Sequence, residues 1–122
     1  MAFSRDDILA VNDRPMKEVP VPVWGDGASV WLRMISAAER DRYFLMTRKG
    51  DTFEANPDNF RAKLLVFAIC DAEGKRLFAD DEAELLGRKC GDAINLLFGE
   101  ASKINGLTRN EADEVEDARK NS

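Results

Sequence analysis

The 122-residue sequence predicts an α+β fold, mainly α, in which an N-terminal β-hairpin over about residues 17–35 packs on four to six helices. Three observations carry that prediction. Alternating apolar residues flank the turn pair Asp26-Gly27, helix caps and stops punctuate the rest of the chain, and the apolar run Leu64 to Cys70 is long enough to fill a core. A chain of this length buries roughly two-thirds of its unfolded surface. With 44% apolar residues it needs no metal or disulfide to do so. Neither a linker nor a repeat divides it, so residues 1–122 read as a single domain.

Ser4, with Asp7 three residues on, is an N-cap for a short helix carrying Ile8, Leu9 and Val11, which Asn12 to Pro15 ends. The hairpin follows. A two-residue type I′ turn at Asp26-Gly27 would set Val23 against Val30, Val21 against Leu32 and Val19 against Met34, all on one face. In that register Pro20 and Pro22 fall at non-hydrogen-bonded sites, where a missing N–H costs the pairing nothing, and they blunt an outer edge. The opposite face would carry Pro20, Pro22, Trp24, Trp31 and Arg33, with Trp31 opposite Pro22. Either one of the chain's own terminal helices covers those rings, or they form an exposed aromatic patch of the kind that binds partners. Pro22, Trp24 and Trp31 are therefore the candidate partner-binding residues.

Ser36-Ala37-Ala38-Glu39 has the spacing of a capping box and opens a helix to about Lys49, stopped by Gly50. Thr52 to Asn56 reads as a loop. Asn56-Pro57 then reads as a cap followed by proline at the first helical position, opening a helix to about Asp71. Its second half, Leu64 to Cys70, is apolar all round, and periodicity alone does not separate a buried helix from a buried strand; the lead-in from Phe60 favours helix. Asp71-Ala72-Glu73-Gly74 is a turn before a brief extended segment, Lys75 to Phe78. Asp80 caps a short helix carrying Ala83, Leu85 and Leu86, closed by Gly87. A further helix over about Gly91–Asn105 aligns Ile94, Leu97, Phe98, Ala101 and Ile104, with Gly106 at its left-handed end and Leu107 folding back. Thr108 and Glu111 form another capping box, but residues 108–122 offer only Ala112, Val115 and Ala118 to a core, so this acidic C-terminal helix is expected to fray.

Composition narrows the function. The net charge is −5, and basic residues are interleaved with acids, as in Glu39-Arg40-Asp41-Arg42, which disfavours nucleic acid and anionic membrane surfaces as partners. No stretch approaches the ~20 apolar residues that span a bilayer, and MAFSRDD lacks the features of a signal peptide. There is no histidine, nucleophile elbow, Walker A loop or dinucleotide fingerprint. Asp71, Glu73, Asp80 and Asp81 could meet around a cation, but without the order of an EF-hand. The acidic clusters fit first helical turns, where negative charge complements the helix dipole. No catalytic, cofactor-binding or metal-ligating residue is assigned, no cofactor is expected, and the chain is read as not an enzyme. Cys70 and Cys90 read as two reduced, core-facing thiols.

The order of these signals also resembles a known family. A short acidic helix (Asp6-Asp7-Ile8-Leu9-Ala10) precedes a proline-interrupted strand ending in Trp24-Gly25. A strand then runs into Ser36-Ala37-Ala38-Glu39-Arg40-Asp41, followed by the apolar helix, Asp71-Ala72-Glu73-Gly74-Lys75-Arg76-Leu77-Phe78, and Ile104-Asn105-Gly106-Leu107-Thr108. The ordered set, spanning roughly residues 4 to 118, is similar to the tail assembly chaperones of long-tailed (siphovirus-type) bacteriophages and prophages. The resemblance implies a non-catalytic protein that binds the tape measure protein and helps recruit tail tube subunits. It further implies action in the host cytoplasm, absence from the finished virion, and in many phages a longer form made by a −1 frameshift. Arg119-Lys120-Asn121 could be encoded by a slippery heptamer. Self-association is compatible with such a role. Two other readings are a minor structural or tail-completion protein retained in the virion, and an acidic protein-binding regulatory module.

Overall fold

The structure, a computed structural model, describes residues 1–48 and 56–107. Its elements in chain order are α1 (Arg5–Ala10), β1 (Met16–Pro20), β2 (Ser29–Arg33), α2 (Ala37–Met46), α3 (Phe60–Ala68), β3 (Ile69–Cys70), α4 (Ala83–Leu86) and α5 (Gly91–Ile104), with single 3-10 turns at Pro22–Trp24 and Asp80–Glu82. The fold is α+β and mainly α, as the sequence predicts. Lys49, the Gly50 stop and most of the loop after it lie outside the described residues. So do the Thr108 capping box, the acidic C-terminal segment and Arg119-Lys120-Asn121.

Helix α3 is the centre of the molecule. Ala62 and every residue from Leu64 to Ala68 are fully buried, and the helix touches α2, α4 and α5. The apolar run is helix and strand in succession, since α3 ends at Ala68 and Ile69-Cys70 joins the sheet as β3. The helix also starts later than Asn56-Pro57 suggests. Asn56 accepts a hydrogen bond from the Asp58 amide in a turn, and Asn59, at a left-handed φ of 54°, precedes the first helical residue. The Asn59 side chain donates to the Ala83 carbonyl, tying this turn to α4. Gly87 permits that contact, because a Cβ there would run into the Asn59 carboxamide.

The sheet is antiparallel with order β1-β2-β3. Its register corrects the sequence expectation: Val19 pairs with Val30, Lys17 with Leu32, Glu18 with Trp31 and Pro20 with Ser29. The two-residue turn is replaced by a longer loop, closed where the Val21 amide donates to the Ala28 carbonyl at 2.9 Å. Proline, with its φ preset and no N–H to lose, opens the 3-10 turn at Pro22. Gly25 and Gly27 take the positive φ values, 140° and 76°, that bring the chain back. The shift is four residues, an even number, so each side chain keeps its face. Val19, Val21 and Leu32 are buried, whereas Val23, expected among them, is exposed on the turn. Pro20 still falls at a non-bonded site on the outer edge.

α5 forms as read, and α2 opens at the expected capping box but ends at Met46, short of Lys49, with Thr47 as its C-cap. The Ser36 hydroxyl accepts from the Glu39 amide at 3.2 Å, and the Glu39 carboxylate from the Ser36 amide at 2.9 Å. In α5, Ile94, Leu97 and Ala101 are buried, Phe98 and Ile104 pack at the core margin, and Gly106 takes φ 67° with Leu107 against the core. Buried Asn105, just past the last turn, clamps α5 to β2. Its Oδ1 accepts from the Ile35 amide at 2.8 Å, and its Nδ2 donates to the Ala101 carbonyl at 2.8 Å. Truncation would leave the Ile35 amide buried without a partner, at a cost of about 1–3 kcal/mol. Asn105→Ala is therefore expected to lower the urea midpoint by that equivalent with an unchanged m-value.

Candidate protein-binding groove

One face of the sheet is spent on the core. The other carries Glu18, Trp31 and Cys70 at laterally paired positions. β2 holds Trp31 half-buried there, and the 3-10 turn presents Trp24 beside it, 40% exposed. Both rings line an open groove of about 570 Å³, completed by Val30, Leu77, Phe78 and Leu86 with Lys89 at its edge. Its lining is mostly apolar, with few polar groups to fix a small ligand, and it suits another polypeptide's side chains.

Of the three candidate residues, the structure brings Trp24 and Trp31 together. Pro22 lies in a neighbouring shallow hollow with Glu18, Pro20 and Ser29, and Trp31 stands opposite Glu18 rather than Pro22. The N-terminal helix does not cover the rings, since α1 buries none of its residues. Leu77, Phe78, Leu86 and Lys89 were not assigned to a site from the sequence. The available signal was the apolar pair Leu77-Phe78 following a turn in a segment expected to be extended. That segment pairs through Arg76 with Cys70, through the Lys75 carbonyl, which accepts from the Asp71 amide at 2.9 Å, and through the Leu77 amide, which donates to the Ile69 carbonyl at 3.2 Å.

Beside the groove the charges are committed to structure. Arg33 and Glu39, 6% and 8% exposed, pair at 2.5 Å, with Arg76 at 3.8 Å and Arg14 at 3.9 Å from the same carboxylate. Burial pushes the Glu39 carboxyl up, but hydrogen bonds from the Ser36 amide and Arg33 outweigh it and hold the group below its ordinary value. Asp80, expected to cap a helix, instead accepts from Arg42 and Arg76, each at 2.7 Å. The Arg42 hydrogen bond, reinforced by Arg76, lowers its pKa. Asp71 is lowered by the Lys75 and Glu73 amides of its own turn. Both guanidinium groups also lie over the Phe67 ring, at 5.4 and 4.7 Å from its centroid.

Every described carboxylate whose pKa departs from the ordinary value is lowered. Among the described residues no three metal-ligating side chains converge, so Asp71, Glu73, Asp80 and Asp81 do not form a cation site. Both cysteines are free. Cys70 is buried, and burial raises its thiol pKa; Cys90 is exposed, contrary to the expectation of a core-facing residue. Among the described residues no helix is long and apolar enough to cross a membrane.

Two of three comparisons with known proteins find matches. The sequence model of the family described as "Phage tail assembly chaperone" matches residues 9–121. Among solved structures, the bacteriophage HK97 tail assembly chaperone superposes with a TM-score of 0.58 at 24% identity, over 75% of this chain and 85% of that one. That likeness is one of fold. No curated protein sequence matches.

Proposed function

The chain belongs to the phage tail assembly chaperone family, and from that membership we propose that it binds the tape measure protein of a long-tailed phage and helps gather tail tube subunits around it, without catalysing a reaction. The observation supporting a holding role is the open groove with two tryptophans, set in a chain of net charge −5. Exposed apolar surface can take up apolar segments of a client, and like charge keeps the complexes apart in solution. Trp24 and Trp31 are the proposed contact residues, with Pro22 on the adjoining rim. The proposed place of action is the host cytoplasm, with release before the virion is complete. A longer frameshifted form would add sequence after the acidic C-terminal segment.

Co-expression tests this reading. Tape measure segments that are insoluble alone are expected to become soluble and to co-purify with this chain, which should be missing from purified virions by mass spectrometry. Segments that stay insoluble, or a chain found in virions at tube-like copy number, would reject it.

A further inference from the structure

Glu39 faces more positive charge than it can hold. Its Oε2 accepts from Arg33 and its Oε1 from the Ser36 amide, while Arg76 and Arg14 stand at 3.8 and 3.9 Å. Asp80 in turn takes Arg76 and Arg42. Four guanidinium groups thus meet two carboxylates, a local excess of positive charge in a chain whose net charge is −5.

That excess opens to solvent in one cavity. Arg14, Pro15, Met16 and Arg33 wall an open space of about 550 Å³, and exposed Asp13 and Glu73 line it as well. Arg33 is 6% exposed, yet among the described residues its guanidinium makes one hydrogen bond, from Nη2 to Glu39, and its Nε is buried without an acceptor. A buried donor left unpaired is costly, and native structures rarely leave one so. Arg14 is exposed and, at 3.9 Å from Glu39, lies beyond hydrogen-bond reach of it. Asp13 and Glu73 share the cavity but pair with neither arginine among the described residues. Two guanidinium groups with unused donors therefore border one open space.

We propose that this cavity receives a carboxylate side chain of a partner polypeptide, held between the Arg14 and Arg33 guanidinium groups. The planar fork of arginine matches the two oxygens of a carboxylate. Pro15 and Met16 supply apolar wall for the stem of the entering side chain. Asp13 and Glu73 favour a peptide over a free ion. An exposed carboxylate accepts from the backbone N–H of a bound chain, whereas its charge repels small anions. Neither tryptophan lines the cavity, so this site is separate from the proposed client groove.

The test uses the full-length chain, with the Arg14 and Arg33 Nε–H resonances followed by nuclear magnetic resonance. The probe is a short capped alanine peptide with one central glutamate. Both resonances should shift saturably as it is added, and the same peptide with glutamine in place of glutamate should leave them unmoved. Arg14→Gln, at a position whose side chain is 47% exposed, should weaken binding by about tenfold, the loss expected for a hydrogen bond to a charged group. Arg88→Gln, whose side chain is 68% exposed and lies outside the cavity, should change nothing. Resonances that do not move, equal binding of the glutamine peptide, or binding indifferent to Arg14→Gln would each overturn the proposal, and so would an equal loss in Arg88→Gln. Sodium sulfate that saturates the site at lower concentration than the peptide would make it a site for free anions and reject a polypeptide as occupant. No tape measure segment enters these measurements, so their failure and that of the groove reading are distinguishable.

Discussion

Glu39→Ala should cost about 3 kcal/mol or more of stability, because it strips the countercharge from a buried guanidinium. Arg33 is 6% exposed and Glu39 is its close partner at 2.5 Å. The same carboxylate faces Arg76 and Arg14 and closes the cap of α2 through the Ser36 amide. Removing it leaves several positive groups around an unfilled, poorly hydrated space. Arg33→Met/Glu39→Leu should recover much of the loss, since no charge is then left buried. Urea denaturation of the two variants beside the wild type checks both statements. The pH dependence follows from the same contacts. Glu39, Asp71, Asp80 and Glu100 all have pKa values lower in the folded chain than their ordinary ones. The unfolded state therefore binds protons first as pH falls. The stability these groups contribute is complete above the ordinary values, 4.5 for Glu39 and 3.8 for Asp80, and is lost as pH drops through the folded ones. The melting temperature is expected to hold from neutral pH down to about 4.5 and then fall. Glu39→Gln should lower the plateau and make the fall shallower.

What the sequence disclosed, and what it withheld, divides along the range of the interactions. The N-cap at Ser4, the capping box at Ser36 and the left-handed Gly106 were legible because each is decided within four residues. The hairpin faces were legible too, since alternation survives an even slip, but the register was not. Asp26-Gly27 is a strong local turn signal, yet Pro22 starting a 3-10 turn and two positive-φ glycines offered a longer closure that buries Val21 completely. The end of α3 was hidden for a different reason. Ile69 and Cys70 leave the helix to pair with Leu32 and Trp31, whose positions along the fold no local pattern reveals. Asp80 illustrates the same limit in part: its spacing suits a cap, but Arg42 of α2, far away in sequence, claims the carboxylate together with Arg76 four residues upstream. The tryptophans of the groove could be singled out from their own strand, whereas Leu77, Phe78, Leu86 and Lys89 reach it only through tertiary packing.

The proposed function requires the groove to hold another polypeptide through its two rings, and a binding titration probes this most directly. Trp24 is 40% exposed on a turn, so Trp24→Ser should leave the fold intact. Trp31 sits half-buried on the central strand; pairing Trp24→Ser with Trp31→Phe keeps that strand packed, and Trp24→Ser/Trp31→Ser removes both rings. Buried aromatic anchors are worth ~2 kcal/mol or more each, and ~1.4 kcal/mol is a tenfold change in affinity. Affinity for a labelled tape measure segment should therefore fall at least tenfold in Trp24→Ser, and binding should be lost in the double serine variant. Circular dichroism of each variant confirms that the fold persists. Undiminished affinity in folded Trp24→Ser/Trp31→Phe and Trp24→Ser/Trp31→Ser variants would contradict the account and place the client on another surface.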